Sequence, residues 1–277
     1  MESKELTVVI VTFKSESKII DCLKSIPSDI KVLIIENSNN ENYKKKLEKR
    51  FSNVHCTLTG ENRGYATANN IGLNKVRTKY ALILNPDTIL EENAIDNFFI
   101  RVKKNNEFWL IGPANDQMVE IDFNNNDLKE VNNLKGFAIF FNLSKFNKNF
   151  FDENYFLYFE EIDLCKSVKK KNGKIYLDQT IKITHQGASS VDDINKKELE
   201  KNRNWHWMWS TFYFHKKYKG FLIALLLIIP NLFSSIFKTI IYQVMFNKKK
   251  RDIYFYRTSG IINSILGKNS WYRPPIN

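Results

Sequence analysis

The sequence predicts an α/β fold with a mostly parallel central sheet, followed by a helical tail that associates with a membrane. Short apolar runs alternate with segments of helical period, as in parallel sheets whose strands are buried on both faces. Polar residues follow each of the first four runs, and a long apolar segment occupies the last quarter of the 277-residue chain. We therefore expect a globular domain over residues 1–190 and a separate C-terminal region over 191–277.

The composition limits the function classes. Hydrophobic residues make up 43% of the chain and charged residues 26%, which is typical of a folded protein. The formal charge of +12 favours an anionic partner, which leaves nucleic acid, a phosphorylated ligand or an acidic membrane open. Three widely spaced cysteines argue against a disulfide framework or a zinc site. The N-terminus does not resemble a signal peptide, so we expect the first domain to be cytoplasmic.

The first half of the chain shows a regular alternation of strands and helices. Continuous β-branched runs predict strands, and apolar positions at helical spacing predict helices. The predicted strands are 6–13, 31–36, 54–58 and 80–84, and the predicted helices are 15–26, 42–51, 65–75 and 91–104.

The pattern continues less regularly to residue 184. Residues 135–142 predict a strand, and residues 160–171 predict a helix whose acids come first and bases last, as the helix dipole favours. Two short strands are predicted at 174–177 and 181–184, and a charged helix at 192–204.

Polar clusters stand directly after the first four predicted strands. They are Thr12–Lys14, Glu36–Ser38, Asn62–Gly64 and Asn85–Asp87. Ligands of open parallel sheets bind outside the carboxyl ends of the strands. A single polar strand end is explained by a solvated turn, whereas four in series predict a ligand site.

An acidic cluster lies at the start of the helix predicted at residues 160–171. The cluster consists of Glu160, Glu161 and Asp163. Successive residues of a helix point about 100° apart, so at most one of these acids faces a given reacting group. The alternative is an acidic helix N-terminus that only satisfies the dipole.

These segments resemble the family 2 glycosyltransferases, and within them the rhamnosyltransferase-like branch. The similarity extends over about residues 6 to 190. It is carried by VVIVTFKSE (8–16), IENSNN (35–40), ENRGYATANNIGL (61–73), LILNPDTIL (82–90), LKGFAIFFN (134–142), the stretch 151–176 and THQGASS (184–190). The resemblance implies a GT-A fold, the nucleotide-diphospho-sugar transferase architecture.

The resemblance also implies a donor site. Its nucleotide-sugar-binding residues are Thr12, Glu36, Asn62, Arg63, Asn85 and Asp87. Glu36 replaces an aspartate common in relatives, and Asn85 replaces the first acid of the Asp-any-Asp metal motif. Asp87, with His185, is then implied to bind Mg²⁺ or Mn²⁺, hard cations that prefer carboxylate and phosphate oxygens.

On the acceptor side, the resemblance implies Gly136 and Phe137 near the acceptor and Glu161 as the general base of an inverting transfer. Glu160 and Asp163 are implied to orient groups or bind acceptor, and which of Glu160 and Glu161 is the base is left open.

The tail is dominated by an apolar segment over residues 221–246. Its first 17 residues, up to Phe237, are apolar apart from Asn231 and two serines. They approach the length needed to span a bilayer, although Pro230 and Asn231 interrupt them. Aromatic residues precede it, and a basic run, Lys248–Arg251, follows it, as suits an anionic leaflet. A span, a re-entrant hairpin, an in-plane helix and a buried helix pair are all compatible with the sequence.

The leading interpretation is an enzyme that transfers a sugar, with rhamnose from a dTDP donor as one candidate. Its acceptor is a glycan or polyprenyl-linked glycan at the cytoplasmic face of the cell membrane, in cell-surface polysaccharide synthesis. A nucleotidyltransferase is a weaker alternative because the glycine-rich phosphate loop is missing. A basic nucleic-acid-binding protein explains the charge, but it leaves the apolar segment and the strand-end acids unexplained, so we expect no nucleic-acid partner.

Overall fold

The computed structural model describes residues 2–104, 107–114, 127–185 and 196–273. The chain divides into two compact units. The first comprises Met1–Asp152 and Glu161–Asp192, and the second comprises Glu153–Glu160 and Asp193–Asn277. The predicted domain boundary, between residues 190 and 191, lies outside the described residues.

The first unit contains ten strands and five helices in the described part of the chain. The strands are β1 Leu6–Thr12, β2 Lys31–Glu36, β3 Val54–Leu58, β4 Tyr80–Leu84, β5 Thr88–Leu90, β6 Phe108–Pro113, β7 Leu128–Glu130, β8 Ala138–Asn142, β9 Lys174–Asp178 and β10 Ile183–His185. The helices are α1 Ile19–Ser25, α2 Glu41–Arg50, α3 Gly64–Lys75, α4 Ala94–Lys104 and α5 Glu160–Lys170.

Eight strands form one sheet in the order β3-β2-β1-β4-β8-β6-β9-β7. Strands β1 to β4 pair in parallel, β8 runs antiparallel to both β4 and β6, and β6 pairs in parallel with β9. Every residue of β1 and β4 is buried, because helices cover such strands on both faces. The predicted α/β fold with a mostly parallel sheet is confirmed.

Helix α3 shows how closely the helices pack on this sheet. A Cβ atom at Gly72 would lie 2.4 Å from Cγ1 of Val9 and 3.1 Å from Cγ1 of Ile35. Only glycine allows α3 to approach β1 and β2 at this distance.

Several elements depart from their predicted positions. Helix α1 begins at Ile19 and not at residue 15, and the helix predicted to end at residue 204 continues to Lys219. Another departure follows β4. Residues 88–90 form β5, which pairs antiparallel with β10, so α4 begins at Ala94 and not at residue 91. A three-residue strand carries too little periodicity to be recognised in the sequence.

The second unit consists mainly of three helices, α6 Lys196–Lys219, α7 Phe221–Val244 and α8 Lys248–Ile265. Their shared core contains Met208, Phe212, Ala224, Ile228 and Ile261. Pro230 lies inside α7 without ending it. Only 17% of the most apolar window of α7 is buried, so a buried helix pair is the wrong interpretation of this tail.

Candidate active site

The predicted strand-end clusters lie at one edge of the sheet. Thr12 and Glu36 are register partners at the carboxyl ends of β1 and β2, and Asn85 to Asp87 follow the neighbouring strand β4. Thr12 is fully buried, and its Oγ1 makes no hydrogen bond to any residue that the structure describes. A buried hydroxyl without a protein partner is the feature expected where a ligand binds.

Asp87 and His185 meet at this edge although they are far apart in sequence. The β5–β10 ribbon aligns His185 with Thr88, which places His185 Nε2 3.4 Å from Asp87 Oδ1. The Asp87 side chain is buried, and His185 is largely buried. The structure therefore brings together the two residues that the sequence predicted as metal ligands.

The segment before β8 lines the same place. The backbone N–H of Asn85 donates a hydrogen bond to the carbonyl of Phe137 over 2.8 Å, which extends the β4–β8 ladder by one residue. The Phe137 ring stacks on the His185 imidazole, with ring centroids 4.7 Å apart and planes within 7°. This stacking fixes the orientation of the imidazole toward Asp87.

Glu161 lies against Gly136. A Cβ atom at Gly136 would contact the Glu161 side chain at 3.5–3.7 Å, so these two predicted site residues are direct neighbours. Burial raises the pKa of the Glu161 carboxyl, while the backbone N–H groups of Glu161 and Ile162 and the charge of Lys135 oppose that rise. A carboxylate with a raised pKa suits a general base.

Glu160 and Asp163 share helix α5 with Glu161 and are both buried. Glu160 belongs to the second compact unit and Asp163 to the first. Their orienting or acceptor-binding role stays a prediction.

Glu36 has a different environment from the one its predicted role suggests. Its carboxylate is fully buried and accepts hydrogen bonds from the backbone N–H and hydroxyl of Ser38 and from the backbone N–H of Asn40 at 2.8 Å. These contacts order the loop after β2. The contact between Glu36 and the nucleotide stays a prediction.

Asn62 and Arg63 stand at the start of α3. The Asn62 side chain accepts a hydrogen bond from the backbone N–H of Gly64, and the exposed Arg63 guanidinium pairs with Glu61 at 3.1 Å. The buried Asn37 joins this loop to β2, since its side-chain oxygen accepts from the backbone N–H of Arg63. The sequence placed Asn37 in a polar cluster without giving it a function.

Tyr65 is a site residue that the sequence analysis missed. Its hydroxyl lies 3.2 Å from Asn85 Oδ1 and 2.7 Å from the carbonyl oxygen of Gly136. It therefore links the loop after β4 to the segment that contacts Glu161. Its place beside Gly64 in the ENRGY segment was the available signal.

The residues present fit a divalent cation. His185 Nε2 is buried and makes no hydrogen bond within the described residues, while a buried carboxylate oxygen faces it. Imidazole nitrogen with carboxylate oxygen is a donor pair that suits Mn²⁺ and related ions. No group of three His, Cys, Asp or Glu side chains at ligand distance occurs in the described ranges.

The family model for glycosyl transferase family 2 matches residues 7–164, more than half of the chain. The chain belongs to glycosyl transferase family 2. As a glycosyltransferase it has the GT-A fold that the sequence predicted, and its matched region includes every predicted site residue except His185.

Three known proteins are similar to this glycosyltransferase. The low-salt glycan biosynthesis hexosyltransferase Agl10 of Haloferax volcanii is 22% identical over 65% of this chain and 67% of its own length. The teichoic acid poly(glycerol phosphate) polymerase of Staphylococcus epidermidis is 30% identical over 43% of this chain, which spans only 18% of the polymerase. These relatives indicate glycan or polymer synthesis.

The solved structure of the mannosyltransferase PcManGT from Pyrobaculum calidifontis, in complex with GDP-Man and Mn²⁺, superposes with a TM-score of 0.58. It is 11% identical and covers 96% of this chain and 88% of its own. This similarity confirms the fold.

Proposed function

We propose that this glycosyltransferase moves a sugar from a nucleotide-diphosphate donor to an acceptor hydroxyl with inversion, and that it needs a divalent cation. The observation that carries the proposal is the meeting of Asp87 and His185 at 3.4 Å beside the end of β4. The Mn²⁺ and GDP-Man of the PcManGT complex support a metal and a nucleotide sugar here. Rhamnose as the sugar rests on the resemblance of the motifs alone.

Different residues bind the donor, accept the proton and position the loops of the site. The nucleotide is held by Thr12 at the end of β1 and by Asn62 and Arg63 at the start of α3. Asp87 lies at the diphosphate end of the donor. Glu161 accepts the proton of the acceptor hydroxyl, whose oxygen forms the new bond to the anomeric carbon. The bond to the diphosphate breaks on the opposite face and leaves a nucleoside diphosphate. Tyr65 keeps the Asn85 loop and the Gly136 segment in register for this attack.

Asp87 and His185 would hold the cation, with donor phosphate oxygens and water as its other ligands. When bound, it supplies positive charge that neutralises the departing diphosphate. Gly136 and Phe137 line the acceptor side. Because Phe137 stacks on His185, the proposed acceptor site and the proposed metal site are in direct contact.

Helix α7 and the relatives support the proposed acceptor and location. Helix α7 is long and apolar enough to cross a membrane, with a mean hydropathy of 2.0. The hexosyltransferase and the polymerase named above act in glycan and teichoic acid synthesis, as their names state. We therefore propose a glycan or polyprenyl-linked acceptor at the cytoplasmic face of the cell membrane.

A ligand screen tests the donor class. Nucleoside diphosphates and nucleotide sugars are added to the purified chain with Mn²⁺, Mg²⁺ or EDTA, and the melting temperature is measured. A bound ligand stabilises by mass action, so we expect one nucleotide series to raise the melting temperature only with metal. Stabilisation by oligonucleotides alone would contradict the proposal.

Two substitutions separate metal binding from base catalysis. Asp87→Ala should abolish donor turnover and the metal-dependent thermal shift. Glu161→Gln should keep the thermal shift and slow transfer by about 10²–10⁴-fold, the usual contribution of a general base. The controls Asp96→Ala and Glu92→Gln change exposed acids of the same unit and should leave both readouts unchanged. Full transfer by either site variant would refute its assigned role.

A further inference from the structure

Helix α7 carries an exposed apolar stripe. Leu222, Leu226, Phe233, Phe237, Ile240 and Val244 are each 58–74% exposed. Their spacings of four, seven, four, three and four residues keep them within about 60° of one another around the helix. The buried residues Ala224, Ile228 and Ser235 lie on the opposite side. The stripe is therefore one continuous surface that faces away from the helical core of its unit.

Helix α8 has a matching stripe. Phe255, Ile262 and Leu266 are 42–65% exposed and follow at spacings of seven and four residues, so they also share one face. The two stripes converge at a groove of about 570 Å³ whose walls include Ile240 and Val244 of α7 and Phe255 of α8.

Positive charge lies beside the groove. The two cations that line it are each paired with an acid, Lys201 with Glu198 at 2.7 Å and Arg251 with Asp252 at 2.6 Å. The exposed lysines Lys248 and Lys250 supply the excess positive charge. The basic run Lys248–Arg251 begins α8 at the same end of the unit. An apolar cleft rimmed by cations is complementary to an acyl chain and its phosphate-bearing headgroup.

Charged and aromatic side chains run beside the C-terminal third of α7. Tyr242 of α7 stacks on Tyr254 of α8 at 5.6 Å, and Lys238 and Lys250 lie over these rings at 5.0 and 5.2 Å. Tyrosines paired with lysines are typical of headgroup depth in a bilayer.

The antiparallel packing of α8 on α7 argues against a membrane-spanning orientation of α7. Arg251 Nη1 donates to Gln243 Oε1 near one end of α7, and Ile261 packs with Ala224 and Ile228 near the other. If α7 crossed the bilayer, α8 would accompany it and carry Asp252 and Arg257 into hydrocarbon. Such charges are costly at membrane depth, so the packing favours a helix in the plane of the interface.

We infer that the stripes of α7 and α8 form a membrane-docking face that lies in the plane of an anionic bilayer, with phospholipid phosphates beside the exposed lysines Lys248 and Lys250 next to the groove. This inference deepens the proposed function, on which it rests for the membrane location of the enzyme. The partner is the lipid surface of a bilayer.

Vesicle flotation tests the partner. The full chain should float with phosphatidylcholine vesicles that contain phosphatidylglycerol, more weakly with pure phosphatidylcholine, and less with added salt. Lys248→Gln with Lys250→Gln should weaken binding to anionic vesicles about 30-fold, from the usual effect of two surface cations. The control Lys24→Gln with Lys45→Gln removes two exposed cations of the first unit and should bind normally. Equal binding to both vesicle types would overturn the inference.

Depth measurements test the orientation. Leu226→Cys, Phe237→Cys and Val244→Cys are labelled one at a time with an environment-sensitive dye, since the three native cysteines are buried. Lipids that carry quenchers at known depths should report equal shallow depths at all three sites. A progressive change of depth from residue 226 to 244 would show a spanning helix and overturn the in-plane arrangement. Donor binding in detergent, measured on the same proteins, would reveal a separate failure of the proposed function.

Discussion

In the proposed mechanism Glu161 accepts the proton of the acceptor hydroxyl, so the rate depends on the ionisation state of the Glu161 carboxyl. The base acts only when deprotonated, and burial raises its pKa above the ordinary value for glutamate. Activity should therefore fall as the pH drops through that raised pKa. Measurement of kcat/KM against pH should show an acid limb above the ordinary glutamate range of about 4.3.

The charge of Lys135 lowers the pKa of Glu161, which gives this prediction a sharper form. Lys135→Met should move the acid limb upward by a few tenths of a pH unit, about the effect expected of one exposed charge. Lys145→Met changes a lysine that pairs with Glu107 and should leave the limb in place. A downward movement in the Lys135 variant would contradict the assignment of Glu161 as the base.

The sequence supplied candidate site residues but not their contacts. Asp87, His185 and Glu161 became candidates because each stands in a motif of the family that the chain resembles. Tyr65 was missed because a tyrosine at a helix start has many uses, and only the fold shows that its hydroxyl reaches both Asn85 and Gly136. The hydrogen bonds between Glu36 and its own loop could not be predicted from the sequence either, since they depend on the backbone conformation after β2.

At the scale of elements, a buried ion pair connects α4 to the end of β9. Arg101 pairs with the fully buried Asp178, which also accepts hydrogen bonds from the backbone N–H and hydroxyl of Thr180 at 2.8 and 2.7 Å. Asp178→Ala leaves the buried guanidinium without this partner. We expect a loss of about 3–5 kcal/mol in the free energy of unfolding, measured with urea.

Asp127 provides the matched control, because it contacts the same guanidinium at 3.0 Å from a position that is 53% exposed. Water screens an exposed ion pair, so Asp127→Ala should cost much less than Asp178→Ala. Equal losses in the two variants would show that burial does not set the strength of this network.

The elements themselves were predictable where their periodicity was long. Strands β1 to β4 and helix α5 lie within one or two residues of their predicted positions, because continuous apolar runs and helix-dipole patterns are local signals. The β5–β10 ribbon was not predicted as a pair, since each strand has three residues and the pairing joins segments far apart in sequence. That ribbon is the element that brings His185 to Asp87.

For the whole molecule, the two units differ in what stabilises them. The sheet of the first unit is covered by helices, whereas the second unit depends on close contacts between α6 and α8. A Cβ atom at Gly260 would lie 2.3 Å from the carbonyl oxygen of Trp205, so α8 touches the backbone of α6. His206, next to this contact, is fully buried. Its ring nitrogens bond to the Tyr272 carbonyl at 2.9 Å and the Ser270 hydroxyl at 2.8 Å.

Burial lowers the pKa of His206 to about 3, so the folded second unit holds a neutral imidazole. The unfolded chain takes up this proton near pH 6.5. The stabilisation from the neutral ring is therefore complete above pH 6.5 and is lost as the pH falls toward 3, by about 1.4 kcal/mol per pH unit. Acid should thus destabilise the second unit through this residue.

Urea unfolding in a non-ionic detergent, followed by tryptophan fluorescence, isolates this effect, since four of the five tryptophans lie in the second unit. The difference in unfolding free energy between the native chain and His206→Gln should shrink by about 1.4 kcal/mol from pH 6 to pH 5. His55→Gln alters an exposed histidine and should follow the native chain at both values. A difference independent of pH would mean that His206 titrates alike in the folded and unfolded states, and that its burial does not hold it neutral.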